Sequence, residues 1–231
     1  MDAKQFVKKL VEDNQALFKA SQHNVKEYFD SKPAQEELVE HFVGRMVNER
    51  MNMVEIANAV AAMPADTPTE ELELLTRQAQ DEARHFRMVK EVIEHMTGKP
   101  LDVAAAIAAE AAKPTAKGAG LLAKYEAETD PVALAAYQLV AEGRAEAVWN
   151  QMADCIEDAF ISGAYRKIAK DEGFHSKIGA RKLEQLVTSA AAQARVEELV
   201  GRMRKDLYDI SCKNTTAVAE GRTLVADAYG W

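Results

Sequence analysis

The stretch Asp81-Glu82-Ala83-Arg84-His85 recurs in the sequence as Asp171-Glu172-Gly173-Phe174-His175. In each copy Glu and His are three residues apart, so both side chains share one face of an α-helix. Apolar residues at helical spacing flank both glutamates, as Leu75 and Val89 flank Glu82. A carboxylate in an apolar stripe is costly to bury without a partner, and one metal ion satisfies several carboxylates at once. The repeat therefore predicts two helices that face a buried metal centre.

Helical periodicity extends outward from the two stretches, and no segment alternates like a strand. Only 11 Gly and 6 Pro occur among 231 residues, which disfavours folds built on tight turns. Thr67-Pro68-Thr69-Glu70 has the form of a capping box with Thr67 at the cap. With other start and stop signals it predicts helices over about residues 2–20, 33–62, 68–96, 131–156, 163–188 and 192–213. A polar tail is expected after the last helix.

The order of these helices predicts the topology. Each motif stretch lies on the second helix of a hairpin, and an Ala-rich connection with Pro114, Gly118 and Gly120 separates the two hairpins. Two hairpins joined by one long crossover are the connectivity of the ferritin-like bundle. We therefore expect an all-α fold, a ferritin-like four-helix bundle with extra N- and C-terminal helices. Its core should span about residues 34–190, with the crossover at about 97–130, in a single domain of residues 1–231.

The first helix of each hairpin should supply facing carboxylates. Glu49 interrupts the apolar stripe of its helix and lies level with Glu82 in an antiparallel hairpin. In the second hairpin, Glu142 lies level with Glu172. Glu146 follows one turn later and is either a rival or an additional acid. The sequence favours Glu142, because its spacing to Glu172 better matches the spacing in the first hairpin.

One Glu from each of two helices, with Glu-x-x-His from each of two others, is the dinuclear metal pattern of ferritin-like proteins. Four carboxylates balance two divalent ions, and mixed nitrogen and oxygen donors suit iron or manganese better than tetrahedral zinc. Asp81 and Asp171 are placed to accept the free ring N–H of a ligating His on the opposite repeat. A solvated surface position is the alternative for both. The predicted ligands are Glu49, Glu82, His85, Glu142, Glu172 and His175.

The segments Gln80–His85 and Lys170–His175 resemble the paired motifs of ferritin-like oxygenases. They are similar above all to the catalytic subunit of phenylacetyl-CoA ring epoxidases and, more distantly, to bacterial multicomponent monooxygenase hydroxylases. The resemblance covers about residues 35–190, although the chain is shorter than those subunits. It implies a non-haem enzyme with two iron ions, or an Fe/Mn pair, that uses O2 to oxidise a small organic substrate. Several relatives carry a Thr where Glu146 stands, so we expect Glu146 to deliver protons during O2 activation.

Other uses of the same ligand set remain open. They are iron storage of the ferritin kind, a rubrerythrin-like peroxidase or manganese catalase, and a structural subunit with a vestigial site. The number of subunits distinguishes iron storage from an oxygenase. Storage requires a large closed shell, whereas an oxygenase is expected to be a monomer or homodimer. No flavin, nicotinamide or Fe–S motif occurs, so an oxygenase would need a separate electron donor or electrons from its substrate.

The composition of the sequence limits which binding partners and which cellular compartment are expected. The formal net charge of −8 disfavours nucleic acid as a partner. No apolar run approaches the roughly 18 residues of a membrane span, and the N-terminus does not have the form of a signal peptide. Cys155 and Cys212 fit neither a disulfide framework nor a thiolate metal site. We therefore expect a cytoplasmic protein with no membrane partner.

Overall fold

The computed structural model describes residues 1–113, 120–214 and 219–231. Every regular element in these ranges is helical, which confirms the predicted all-α class. None of the helices described there combines the length and apolar character needed to cross a membrane. The helices are α1 (Ala3–Asp13), α2 (Gln15–Asp30), α3 (Gln35–Ala62), α4 (Thr69–Thr97), α5 (Val103–Ala111), α6 (Gly120–Lys124), α7 (Pro131–Tyr137), α8 (Gly143–Cys155), α9 (Ala159–Leu186), α10 (Ala190–Asn214) and α11 (Ala219–Tyr229), with a π-helical turn, Gln138–Glu142, between α7 and α8.

Two hairpins form the centre of the bundle. Helix α3 packs against α4, and α8 packs against α9, with the π turn and α7 continuing along α9. Contacts between α4 and α9 bring the two hairpins together. The terminal helices cover this centre: α2 lies along α8, α11 packs on α2, α10 contacts α2 and α7, and α1 contacts α9. The predicted helical bundle with extra N- and C-terminal helices is therefore confirmed.

Two apolar clusters fill the bundle, and a polar layer lies between them. Along α3, Met46 belongs to one cluster and Ile56 to the other. Along α9, Ile168 and Leu183 are divided in the same way. The buried acids and histidines of these helices lie between the two members of each pair. The sequence therefore places its polar side chains at mid-height in the bundle, where apolar packing above and below excludes water.

The predicted N-terminal helix differs from the observed one. The prediction ended at residue 20, whereas helical structure continues through α2 to Asp30, interrupted only at Asn14. The apolar face continues as far as Val25, which is buried, and this packing extends the helix. At the other end of the chain, the expected polar tail contains α11. Val225 of α11 is buried in the bundle, so tertiary packing stabilises a helix that the polar composition of this segment did not predict.

The predicted cap of α4 and the predicted start of α9 were wrong. Thr67 does not cap α4, because its Oγ1 donates to the backbone oxygen of Pro64 at 2.7 Å and the helix begins at Thr69. Helix α9 begins four residues before the predicted position 163. There the Asp158 carboxylate accepts hydrogen bonds from the backbone N–H groups of the first turn. In the expected crossover, α5 and α6 are helical, and residues 114–119, with Pro114 and Gly118, lie outside the described ranges.

The predicted continuous helix over 131–156 is interrupted by the π turn, which ends at Glu142. Helix α9 lies directly against this turn. The Ser176 hydroxyl donates to the backbone oxygen of Leu139 at 3.2 Å. A Cβ on Gly179 would lie 2.5 Å from the Ala135 oxygen and 2.7 Å from the Leu139 nitrogen. Only glycine permits so close an approach of two backbones, and that approach positions Glu142 relative to α9.

We expect Gly179→Ala to lower the free energy of unfolding by roughly 1–3 kcal/mol, because its Cβ meets backbone atoms that cannot move aside. Gly163→Ala is the matched control on the same helix, where an added Cβ meets nothing within 4 Å. The control should gain up to about 1 kcal/mol from helix propensity. Denaturant unfolding followed by circular dichroism measures both. Equal stabilities for the two variants would contradict the packing described for Gly179.

Candidate metal centre

The structure brings six of the residues singled out in the sequence into one buried cluster. Helix α3 supplies one carboxylate, the π turn supplies another, and α4 and α9 each supply a carboxylate with an imidazole one turn away. None of the six is more than 3% exposed. Four helical segments thus converge at the polar layer between the two apolar clusters. The residues are Glu49, Glu82, His85, Glu142, Glu172 and His175.

These six side chains form two overlapping groups that could each hold a metal ion. One group has Glu49 and His85 as its own members, and the other has Glu142 and His175. Glu82 and Glu172 belong to both groups. Within each group, the candidate donor atoms all lie within 4.8 Å of one another. The arrangement is that of two adjacent sites sharing two bridging carboxylates.

Each imidazole presents Nδ1 to the carboxylates. His85 Nδ1 lies 3.4 Å from Glu49 Oε2 and 3.6 Å from Glu172 Oε1. His175 Nδ1 lies 3.2 Å from Glu172 Oε2 and 3.3 Å from Glu82 Oε1. Two ligands bound at about 2.1 Å and at a right angle around one ion would be roughly 3 Å apart. The observed spacings are therefore close to those of a common coordination sphere.

The opposite ring nitrogen of each imidazole faces an aspartate on the other motif helix. His85 Nε2 lies 3.3 Å from Asp171 Oδ2, and His175 Nε2 lies 3.3 Å from Asp81 Oδ2. The Arg84 guanidinium joins the two aspartates, with Nη2 at 2.6 Å from Asp81 and 2.8 Å from Asp171. A ring whose Nε2–H points to a carboxylate leaves the Nδ1 lone pair free for a metal. Arg84, to which the sequence pattern gave no role, links the two motif helices.

Two glutamines near the cluster were also missed. Gln78 Nε2 donates to Glu142 Oε1 at 2.9 Å, and Gln138 Nε2 donates to Gln78 Oε1 at 2.7 Å. Gln78 lies four residues before Glu82, and Gln138 lies four residues before Glu142, so each shares a face with a cluster carboxylate. That spacing, on a face that is otherwise apolar, was the signal available in the sequence.

The pKa values in the cluster reflect burial, the neighbouring carboxylates and the two imidazoles. Burial acts to lower the pKa of His85 and His175, but the carboxylates around them outweigh it and raise both well above the ordinary value. Burial, together with the neighbouring Glu82 and Glu172, raises the pKa of Glu49 to about 8. Burial and the same two neighbours raise the pKa of Glu142 well above its ordinary value. Burial also acts to raise the pKa of Glu82, but the nearby imidazoles of His175 and His85 outweigh it and lower that pKa to about 2. Four carboxylates in one dry layer thus repel one another.

Several polar atoms of the cluster have no hydrogen bond from the residues that the structure describes. They are Glu49 Oε2, both carboxylate oxygens of Glu82, and Nδ1 of His85. All are buried, so water does not compensate them at the surface, and each such group costs about 1–3 kcal/mol or more. Glu49, Glu82 and His85 belong to one donor group, and Glu82 also belongs to the other, so cations held by the two groups would satisfy donor atoms of all three residues. The residues present therefore fit a metal ion.

Glu146 lies outside both groups. Its carboxylate packs over Gly173, where an added Cβ would come within 2.5 Å of Oε1. Burial raises its pKa, with a smaller opposing effect from Lys177 and a further increase from Glu172. Arg144 is not its partner, because the Arg144 Nε donates to Ser21 Oγ at 2.9 Å. Glu146 thus stands half-buried beside the cluster.

A cavity of about 350 Å³ reaches the cluster from one side. Three of the cluster carboxylates, Glu49, Glu142 and Glu172, form part of its wall. Tyr137 and Trp149 contribute aromatic surface to the same space. Its size is near the lower end of the roughly 300–1,000 Å³ typical of small-molecule pockets. A small molecule in this cavity would lie directly against the cluster.

A buried carboxylate and imidazole cluster in an all-helical bundle defines the class: a helical protein with a centre that could hold metal ions. No protein-family model matches the sequence, and no curated protein matches it. The fold is similar to the crystal structure of a TenA homolog from Pseudomonas syringae pv. tomato str. DC3000. The TM-score is 0.67 over 93% of this chain and 95% of that chain, at 13% sequence identity. At this identity the likeness shows the helical fold alone, and the resemblance to ferritin-like oxygenases rests on the two motif stretches.

Proposed function

We propose that the chain is a non-haem dimetal oxygenase, which holds two iron ions, or an Fe/Mn pair, and oxidises a small organic substrate with O2. The observation that supports this most strongly is the pair of overlapping donor groups that share Glu82 and Glu172. Two carboxylates common to both groups would bridge adjacent ions, which is the ligand pattern of ferritin-like dimetal proteins. An isolated mononuclear site would not need them.

The donor chemistry supports iron or manganese. Four carboxylates and two imidazoles provide hard oxygen donors with one nitrogen for each ion, whereas zinc in proteins favours a closed tetrahedral set. The four negative charges would balance two divalent cations and remove the repulsion that raises the pKa of Glu49. Reduced iron would supply the electrons that O2 activation needs and that side chains do not provide. Electrons to restore the reduced state would come from a separate donor.

Residues around the cluster would orient its ligands. Asp81 and Asp171 would each hold the Nε2 proton of the opposite imidazole, which fixes the tautomer that offers Nδ1 to a metal. Gln78 would fix one carboxylate oxygen of Glu142 and leave the other available. The apolar clusters on either side would exclude water from this layer.

Iron storage is the alternative that the same ligands allow. The cavity beside the cluster favours substrate oxidation, because storage needs a route for ions and has no use for a pocket with aromatic walls. A storage protein would also accumulate many ferric ions per chain. The oxygenase should hold about two, and it should consume O2 faster when its substrate is present.

Metal content tests the site directly. Loaded anaerobically with Fe(II), the wild-type chain should hold about two ions by elemental analysis. Glu82→Ala removes a carboxylate common to both groups and should drop the content well below one. Glu49→Ala removes a member of one group only and should leave about one ion. Storage would instead give a content far above two.

Glu55→Ala is the control for both variants. Glu55 lies on α3 like Glu49, is partly buried, and belongs to neither donor group. It should retain about two ions. Full iron content in the Glu82→Ala protein, with folding verified by circular dichroism, would show that the cluster is not the metal site.

The orienting role of the aspartates predicts a smaller effect. Asp81→Asn and Asp171→Asn should keep the metals but weaken their binding on the order of 10–100-fold, because a neutral amide holds the ring proton less strongly. The Asp81 variant should lose more, since the Asp81 side chain is 3% exposed and that of Asp171 is 17% exposed. Competition with a chelator measures the affinity. Asp154→Asn, at a surface pair with Arg166, is the control, and aspartate variants that match it would contradict the role.

Glu146 is proposed to move protons between solvent and the cluster. Its carboxyl group is half-buried, lies over Gly173 next to Glu172, and is outside both donor groups. A carboxyl that touches both the solvent side and the cluster side can exchange a proton on each.

Glu146→Gln tests this role. It should retain two ions and slow O2 consumption by the reduced protein roughly 100-fold or more, the usual contribution of a positioned acid. Stopped-flow oxygen measurements give the rate, with Glu55→Gln as the control. Loss of one ion would make Glu146 a ligand, and an unchanged rate would exclude it from proton transfer; either result contradicts the proposal.

A further inference from the structure

Two arginines line the cavity beside the cluster. Arg45 lies on α3 one turn before Glu49, and Arg144 lies on α8 two residues after Glu142. Arg144 is 8% exposed. Its Nε donates to Ser21 Oγ at 2.9 Å, and the Arg45 guanidinium lies over the Trp149 ring at 5.6 Å from the centroid. Both cations therefore lie on the wall of the cavity, where Arg144 is buried and Arg45 is partly buried.

Neither guanidinium forms an ion pair with a carboxylate anywhere in the described ranges. Lys113, another cation of the cavity wall, differs in this respect. It lies 2.8 Å from both Glu40 and Glu110, so two acids share one cation there. A buried cation without a partner anion is costly, because little water remains to solvate it. The two arginines thus leave positive charge uncompensated in the cavity.

The cluster does not supply the missing anion. Glu49 is the carboxylate whose charge acts most directly on Arg45, but in the proposed function it binds metal. Four glutamates and two divalent ions sum to zero, and Lys113 offsets the buried Glu110. The acids of the wall that remain opposite the two arginines are Glu37 and Glu40, which are exposed and screened by water. An anion that enters the cavity would give the guanidinium groups a direct partner.

We propose that this cavity binds a small organic acid, whose carboxylate is held by Arg45 and Arg144 while its apolar part lies toward the metal cluster. This inference rests on the proposed function and specifies its substrate class. Guanidinium groups bind carboxylates through paired, charge-assisted hydrogen bonds, which fix orientation as well as position. Tyr137 and Trp149 supply apolar surface for the rest of the molecule.

The inference separates this chain from the epoxidases that its motifs resemble. A thioester has its carboxyl group masked and offers no anion at that end of the substrate. A free acid offers that anion and fits a cavity of about 350 Å³. The chain is therefore expected to select an unesterified acid over its neutral derivatives.

Benzoate and its neutral isostere benzamide are suitable probes for calorimetric titration of the metal-loaded full-length chain. The wild-type protein should bind benzoate at least tenfold more tightly than benzamide. Arg45→Gln and Arg144→Gln should each weaken benzoate binding about tenfold to a hundredfold, the cost of a lost charge-assisted hydrogen bond. Benzamide binding should not change. If Arg144→Gln does not fold, Arg45→Gln carries the test from a different helix.

Arg204→Gln is the matched control. Arg204 is also buried, but its Nε donates to Asn14 Oδ1 at 2.7 Å and it does not line the cavity. Its replacement should leave benzoate affinity unchanged. Equal binding of benzoate and benzamide, benzoate binding that is insensitive to both cavity arginines, or tighter binding of inorganic phosphate would each overturn the inference.

Metal analysis of the same samples separates this inference from the proposed function. Two ions without selective benzoate binding would overturn the carboxylate site alone. Selective, arginine-dependent benzoate binding in a protein that takes up no iron would support the carboxylate site and overturn the dimetal oxygenase.

Discussion

The burial of four carboxylates at one level of a helical bundle is the constraint on which the rest of this structure depends. Unpaired, these groups repel one another and lack water, which is why the pKa of Glu49 rises to about 8. The surrounding elements hold them in place despite this cost. Apolar clusters pack above and below, and the Arg84 guanidinium ties Asp81 to Asp171 across the two motif helices. Cations in this layer would remove the repulsion between its carboxylates.

The same layer connects packing to chemistry. Glu142 stands at the end of a π turn, where the helix widens locally, and π turns of this kind often occur at functional sites. The close approach of Gly179 to the backbone at Leu139 fixes that turn against α9. One side of the layer is then left open to the cavity. The cluster thus lies between packed apolar layers and beside a cavity.

Much of this arrangement was predictable because it depends on helical periodicity. The Glu-x-x-His spacing and the apolar stripes identified the motif helices, and the hairpin level identified Glu49 as the acid facing Glu82. Other features followed from contacts distant in sequence. The polar face of α11 concealed a helix that packs on α2. Thr67 bonds to Pro64 although its sequence has the form of a cap. Local sequence patterns indicate only the local conformational preference, and tertiary packing can override that preference.

The sequence by itself determined the all-α class and the residue types of the cluster, because both follow from spacing along one helix. Spacing also predicted the six members of the cluster and the pairing of each aspartate with the imidazole of the opposite repeat. Only the tertiary structure decided that Glu82 and Glu172 belong to both donor groups and that Glu146 lies outside them. It also brought Arg45 and Arg144 from separate helices to one cavity. The reason is physical: periodicity fixes which face of a helix a side chain occupies, whereas the partner on the facing helix depends on register, a π turn and the contact at Gly179.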